Sequence, residues 1–380
     1  MRIVHVCLSC FYIDGHAYQE NELVRQHIEA GHIVNVLTST EIFGSDFCLS
    51  YVKPSSYLGQ DGAQVFRLPY RKFLPHAVMK KLRIHPGVYG LLEMLKPEVI
   101  YFHGLCGWEI FTVTRYKKKN PGVRLYIDSH EDWNNSARGW LSKNILHKIY
   151  YKYIIKKCQP YFNKILCVSL ETMDFVERVY GVGRAALEFY PLGGRVYDDA
   201  EYEDRRSRGR DAIGATAINI VLLQTGKMGR RKKILESLRA FSETPGDHLI
   251  FILAGVLADE IISDAEKLIE MDSRIIFLGW KSTEELGDLL CAADVYVQPG
   301  TQSATMQMSL CARCPVIVDD VPSHEPYVHG NGWLVKDEVE LKEAFEDISR
   351  SSEKLQFMSI KSLGIAYDLL DYKNLAARIM

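Results

Sequence analysis

Twice along this chain of 380 residues, short apolar segments of strand length alternate with longer segments of helical periodicity, and a run of charge separates the two series. Strands that are apolar throughout are buried on both faces, which happens when helices cover a parallel sheet, so the alternation predicts a doubly wound α/β architecture. The first series places strands at Ile3–Leu8, Ile33–Leu37, Gln64–Leu68, Val99–His103, Arg124–Asp128 and Lys164–Val168, with a helix from about Tyr18 to Ala30 capped by Gly31. The second places strands at Asn219–Gln224, His248–Leu253 and Arg274–Leu278, and helices near Ile234–Ser242, Asp259–Glu270 and Glu284–Ala292. It ends in ADVYVQPGTQSATMQMSLCARCPVIV, Ala293 to Val318, which reads as a buried strand, a loop of small and hydroxyl residues, a helix and a second buried strand. The intervening VYDDAEYEDRRSRGRDAIG, inside Arg195–Thr216, has almost no large aliphatics and reads as an exposed connection. Two domains are expected at this length, 1–195 and 196–364, with a helix at about 365–380 packing back onto the first.

Hydrophobic content of 47% and charged content of 25% fit an ordinary folded chain, and no run approaches the roughly 20 apolar residues that span a bilayer. The expectation is a cytoplasmic protein that keeps its N-terminus. Nine cysteines spread over strands and helices do not form a disulfide framework pattern. Two CxxC pairs, Cys7/Cys10 and Cys311/Cys314, allow a four-thiolate zinc site on paper, against the simpler reading of small buried residues.

The formal charge of −2 conceals a polarity: 25 Lys and Arg against 17 Asp and Glu in 1–195, and 21 against 31 in 196–380. No acid occurs between Asp132 and Glu171, where Arg138, Lys143, Lys148, Lys152, Lys156, Lys157 and Lys164 alternate with Tyr150, Tyr151, Tyr153, Tyr161 and Phe162. Such a basic face suits an anionic membrane surface or a solvated helix. Nucleic acid is the weaker partner, because no nucleic-acid motif accompanies it and the second half would repel a phosphate backbone.

Four constellations stand just past predicted strands, where open α/β sheets bind ligands. Gly15 with His16 follows the first strand, and a glycine there lets the backbone approach a ligand oxygen or simply makes a tight turn. His130, in YIDSHEDWNN, is placed to hydrogen-bond a ligand hydroxyl or share a proton, or else to cap a helix. LLQTGKMGRRKK, 222–233, puts Lys227, Arg230, Arg231, Lys232 and Lys233 beyond a buried strand, a cluster suited to a diphosphate. Finally, the loop Thr301, Gln302, Ser303, Ala304, Thr305, Gln307 offers backbone N–H groups and side-chain hydroxyls at the start of a helix, which favours oxygen-rich anionic ligand atoms.

Taken in order, these pieces resemble a glycosyltransferase of the GT-B fold, and family 4 in particular, over nearly the whole chain. Asp14-Gly15 and Gly31-His32 resemble the family's glycine turn and later Gly-His, and IYFHG (100–104) and IDSHED (127–132) resemble its two histidine-bearing strand ends. YPLGG (190–194) resembles the exit from the first domain, and TGKMGRRKK the phosphate loop, with Lys227 in the arginine's place and Lys232 as the lysine. IIFLGW, AADVYVQPG, CPVIV and NGWLV continue the likeness. The resemblance implies two Rossmann-like doubly wound domains facing a central cleft, and retaining, metal-independent transfer of a sugar, of hexosyltransferase type, from a UDP- or GDP-sugar. It implies no cofactor. It assigns the base to Gly279 and Trp280, the diphosphate to Lys227, Lys232, Gly15 and the helix starting near Thr305, the donor sugar to His130, and a lipid-linked or glycan acceptor to the first domain. Surface polysaccharide or glycolipid synthesis on the inner face of the membrane would follow.

The family's two glutamates eight positions apart fall here on Gly300 and Met308, neither acidic, with Gln302 and Gln307 close by as neutral hydrogen-bonding substitutes. A nucleotide-sugar epimerase with two such domains, or a non-catalytic glycosyltransferase-like binding protein, are the alternatives that this departure leaves open.

Overall fold

The computed structural model describes residues 1–43, 48–133 and 135–380, so Asn134 of the YIDSHEDWNN motif lies outside the described residues. The chain forms two compact units, Met1–Pro191 with Leu375–Met380, and Leu192–Asn374.

The first unit carries strands β1 (Arg2–Cys7), β2 (Ile33–Ser39), β3 (Glu41–Phe43), β4 (Leu49–Tyr51), β5 (Ser55–Leu58), β6 (Gln64–Leu68), β7 (Val99–Phe102), β8 (Arg124–Ser129), β9 (Lys164–Cys167) and β10 (Leu187–Phe189). Eight of them make one sheet in the order β10-β9-β8-β7-β1-β2-β6-β5, parallel except for β5 against β6, while β3 and β4 pair as a small antiparallel ribbon. The central strands are apolar because both faces are covered: Val4, Val6, Ile100, Phe102, Leu125 and Ile127 are fully buried. The second unit holds β11 (Ile220–Met228), β12 (Leu249–Leu257), β13 (Ile275–Phe277), β14 (Val295–Gln298), β15 (Val316–Asp319) and β16 (Gly332–Val335), all parallel, in the order β13-β12-β11-β14-β15-β16. Leu222, Phe251, Val295 and Ile317 centre its core.

Two expectations change. The segment read as an exposed connection is a helix, Asp199–Ala212, started by Asp198, whose carboxylate accepts from Glu201 N. Its arginines face one way: Arg205 and Arg208 pair with Asp288, and Arg206 and Arg210 with Asp294. Charge replaces apolar area in that packing, which is why a hydrophobicity pattern misses it. At the end of the chain, a helix over Ser352–Ile365 widens through Ala366–Leu370 and stops at Asp371, which bridges to Gly194. Only Leu375–Met380 belongs to the first unit, not the whole of 365–380, and the division falls after Pro191 rather than Arg195. There Tyr190 Oη donates to the Leu375 carbonyl at 2.7 Å, and Arg378 bonds Glu188 at 2.7 Å.

Candidate active site

In the second unit the winding reverses between β11 and β14, the point where open α/β sheets leave a crevice beyond their carboxyl ends. The loops that follow these strands are joined. Thr301 N donates to the Arg231 carbonyl at 3.1 Å, Lys232 Nζ to the Thr301 carbonyl at 2.8 Å, and Gln224 Nε2 to the Lys232 carbonyl at 3.0 Å. Gln298 Nε2 reaches the Thr301 carbonyl at 2.7 Å. Gly300 lies so close that a Cβ would run into the Arg231 carbonyl oxygen and stand 2.8 Å from Lys232 Cα. No side chain fits there while the loops stay joined, a glutamate included.

The cation cluster divides. Lys233 is committed to Asp319 at 2.7 Å, so it is not one of the groups facing a ligand. Lys227, Arg230, Arg231 and Lys232 form no ion pair with any described residue. Lys227 sits exposed near the end of β11. Lys232 is half-buried, and burial, with Arg231 beside it, pushes its pKa down to about 8. A desolvated ammonium with only a carbonyl for partner is stabilised by any anion that reaches it.

The helix Ala304–Cys311 begins at Ser303, which is extended (φ −146°, ψ 155°) and turns its hydroxyl to Gln298 Oε1 at 2.5 Å instead of capping the helix. The first N–H groups, around Ala304 and Thr305, are left without a side-chain cap, beside Lys232. Thr301 is exposed and Gln302 half-buried, its Nε2 unpartnered. Gln307 differs from expectation: it is 2% exposed and its Nε2 donates to Tyr327 Oη at 2.7 Å. Its amide N–H is spent in the core beneath the helix, so it does not present a neutral substitute for glutamate at the helix surface. Gly279 and Trp280 follow β13, two strands from β11; the Gly279 carbonyl accepts from Gly255 N at 2.8 Å and the Trp280 side chain stands free, 68% exposed.

In the first unit the winding reverses between β1 and β7. Gly15, in the loop after β1, is left-handed (φ 77°), and His16 Nδ1 lies 3.4 Å from the Asp14 carbonyl. His130 follows β8, its Nε2 3.4 Å from Asp128 Oδ1. Asp128 Oδ2 meets His103 Nδ1 at 2.7 Å, and the same carboxylate accepts Gly104 N at 2.6 Å. From there a chain of rings runs inward: His103 Nε2 to His5 Nδ1 at 2.9 Å, His5 Nε2 to His27 Nδ1 at 2.9 Å, and His27 Nε2 to the Ala376 carbonyl at 3.2 Å.

One proton arrangement satisfies every link. His27 donates to the carbonyl and accepts from His5, His5 accepts from His103, and His103, carrying both protons, donates to Asp128. The titration follows. Burial holds His5 well below its usual value and His27 down at about 4. His103 is raised to about 9, burial opposing and Cys7, Asp128 and Glu20 prevailing; His130 is likewise raised to about 9, by Asp128 first among its charged neighbours. Asp128, which burial alone would push up, is held far below the carboxylate range by His103 and His130. Sequence reasoning does not single out Asp128, His5 or His27. The available signal is a histidine inside an apolar strand, IVHVC, which must find a buried partner.

The same unit carries the basic face. The wide π-wound helix Ser142–Tyr151 continues into Lys152–Cys158, and Trp140 and Leu141 at its start are each 70% exposed, followed by exposed Ile145, Ile149 and Tyr153 among Lys143, Lys148, Lys156 and Lys157. Among the described residues no helix is long and apolar enough to cross a membrane, and no group of three or more His, Cys, Asp or Glu is arranged to hold a metal ion.

Two doubly wound α/β units, each built on a largely parallel sheet, make up the fold of the GT-B glycosyltransferases, and the chain matches their structures over its full length. Residues 219–351 match the family model described as "Glycosyl transferases group 1". Sucrose-phosphate synthase from Thermosynechococcus elongatus superposes with a TM-score of 0.68 at 14% identity, covering 100% of this chain and 97% of that one. Anabaena HepE in complex with UDP gives 0.67 at 14%, covering 100% and 98%; WaaG, a glycosyltransferase involved in lipopolysaccharide biosynthesis, gives 0.62 at 15%, covering 99% and 98%. Comparison with the curated proteins finds no sequence that matches.

Proposed function

We propose that this chain is a retaining, metal-independent glycosyltransferase that moves a sugar from a nucleotide-diphosphate sugar, UDP- or GDP-linked, to a lipid-linked or glycan acceptor. The observation that carries the reading is Lys232: a partly desolvated ammonium without a counter-ion among the described residues, beside an uncapped helix start, at the reversal of a parallel sheet. Departure of a nucleoside diphosphate develops negative charge on its phosphate oxygens. Lys232, Lys227 and the N–H groups at Ala304–Thr305 supply the opposing charge and dipole, the task a divalent metal performs elsewhere. HepE binds UDP in its crystal structure, and this supports uridine as the first base to test. Gly279 and Trp280 are the residues proposed to meet the base, and Gln302 and Thr301 the sugar or ribose hydroxyls.

His130 is cationic at neutral pH in this account. It therefore acts as a hydrogen-bond donor to a donor-sugar oxygen, not as a general base, while Asp128 keeps it charged and oriented. Gly15 and His16 line the first unit's ligand-facing edge. The basic, aromatic helix 142–158 holds the protein on anionic lipid at the cytoplasmic face, with Trp140, Leu141, Ile145 and Ile149 entering the headgroup region, and the pathway is surface polysaccharide or glycolipid synthesis.

Titration with UDP- and GDP-sugars, with product analysis in the presence of EDTA, tests this. Binding with sugar transfer that survives EDTA supports it; interconversion of free nucleotide sugars would make the chain an epimerase, and binding without transfer or hydrolysis a non-catalytic relative.

A further inference from the structure

The first unit has a cavity of about 350 Å³ at its own winding reversal, lined by the exit of β1 (Leu8 to Phe11) and by Cys106 after β7. That volume lies in the range of small-ligand pockets. The charged side chains on its wall are Lys80, Lys81, Arg83, Arg138, Glu41 and Glu131, and its titratable rings are Tyr70, Tyr151 and His147, the last with its pKa lowered by burial. Lys80 and Glu41 satisfy each other at 2.8 Å. Glu131 accepts from Ser129 Oγ at 2.5 Å and from His130 N at 3.2 Å.

Arg83 is different. Its backbone is left-handed (φ 53°), an uncommon state for a side chain of this size. Gly107 packs on its stem so closely that a Cβ would stand 2.9 Å from Arg83 Cβ. The carbonyls just before it are held by Tyr151 Oη on Lys81 at 2.6 Å and Tyr150 Oη on Leu82 at 3.1 Å. The guanidinium uses only Nη1, toward the Ser9 carbonyl at 2.5 Å and Cys106 Sγ at 2.7 Å. No described carboxylate pairs with it, and Nε and Nη2 donate to no described residue. A strained, tightly seated arginine with two free donors in a net cationic cavity is a built anion site, and the planar fork suits phosphate.

Its surroundings say what bears the phosphate. Leu8, Phe11 and Leu146 give the cavity an apolar side, and Ser142 and Leu146 on its wall alternate with exposed Leu141 and Ile145 on the same helix. We infer that this cavity is the acceptor pocket and takes a phosphate-bearing headgroup, with Arg83 as its principal phosphate ligand and Lys81 at its rim. The inference rests on the glycosyltransferase reading for the word acceptor, but the phosphate site stands on its own geometry.

The test compares the full chain with Arg83→Gln and with Ser142→Glu, which puts a carboxylate into the same cavity without touching the strained position. The probes are inorganic phosphate, by isothermal titration, and phosphatidylcholine vesicles with and without phosphatidic acid, by co-sedimentation. At least a tenfold weaker Arg83-dependent phosphate binding is expected in both variants. Parallel loss of the phosphatidic acid preference assigns the pocket a lipid phosphate; an unchanged preference with phosphate binding lost assigns it a soluble phosphorylated acceptor. Phosphate binding equal to wild type in both variants overturns the inference. UDP titration of the wild-type preparation reports separately on the donor reading, so either can fail without the other.

Discussion

Replacing Lys232 by methionine separates two consequences of one desolvated charge. With its pKa near 8, the ammonium is protonated at pH 7 and half deprotonated at pH 8. A bound diphosphate stabilises the protonated form, so affinity depends on how much of it the free protein holds. Between pH 7 and pH 9 the wild-type Kd for UDP should rise about tenfold, a window above the terminal phosphate's own titration near pH 6. At pH 7, Lys232→Met should weaken UDP binding by about 1.5–3 kcal/mol, the worth of a charge-assisted bond, and its Kd should be nearly flat across that window. Lys232→Arg should keep the charge and lose the slope.

Stability moves the other way. A lysine whose folded pKa is depressed below the unfolded value near 10.5 destabilises the fold fully below pH 8, and that cost disappears as pH rises from 8 to 10.5. Lys232→Met without ligand should therefore raise stability at pH 7, by about 1–2 kcal/mol once solvent screening is allowed for, in urea unfolding. A wild-type Kd that is flat from pH 7 to 9, together with unchanged affinity in Lys232→Met, would refute the assignment of the phosphates to this turn.

Four further outcomes can be checked. Asp128→Asn should drop the His130 pKa from about 9 toward or below 6.5, read by imidazole NMR, and should cost about 3–5 kcal/mol of stability because His103 loses its buried counter-charge; an unshifted His130 would remove Asp128 from its role. In the wild type, the stabilisation from His103 is complete below about pH 6.5 and is lost as pH rises through 9, whereas His27, depressed to about 4, takes stability away as pH falls from 6.5 to 4, so the first unit should resist denaturant most near neutrality. Gly300→Glu should weaken nucleotide binding by about 1–3 kcal/mol, because the Cβ forces the two loops apart; tighter binding would contradict the steric account. Trp140→Ser with Ile149→Ser should reduce co-sedimentation with anionic vesicles severalfold at unchanged salt dependence, and no change would move any membrane contact away from this helix.

The sheets were legible because a parallel strand covered on both faces must be continuously apolar, and IVLLQ, LIFILA and VIVD announce themselves in that way. The cationic turn after β11 was legible too, since five cations in seven residues stand out in the sequence. What the one-dimensional pattern hides is pairing across distance. The charges of Asp199–Ala212 read as solvated until Asp288 and Asp294 are placed opposite them. Gln307 looked available until its helix turned it onto Tyr327, and Lys233 until Asp319 came within reach. His5, His27 and His103 lie 22 to 98 residues apart, and only the adjacency of β1, β7 and the first helix makes a chain of them.

The most direct test of the donor-site claim is a crystal structure with a UDP-sugar bound. The account predicts phosphate oxygens within hydrogen-bond distance of Lys232 Nζ and of the backbone N–H groups at Ala304–Thr305, with Lys232 drawn from the Thr301 carbonyl toward the phosphate. A diphosphate bound elsewhere, with Lys232 still on Thr301, would contradict it.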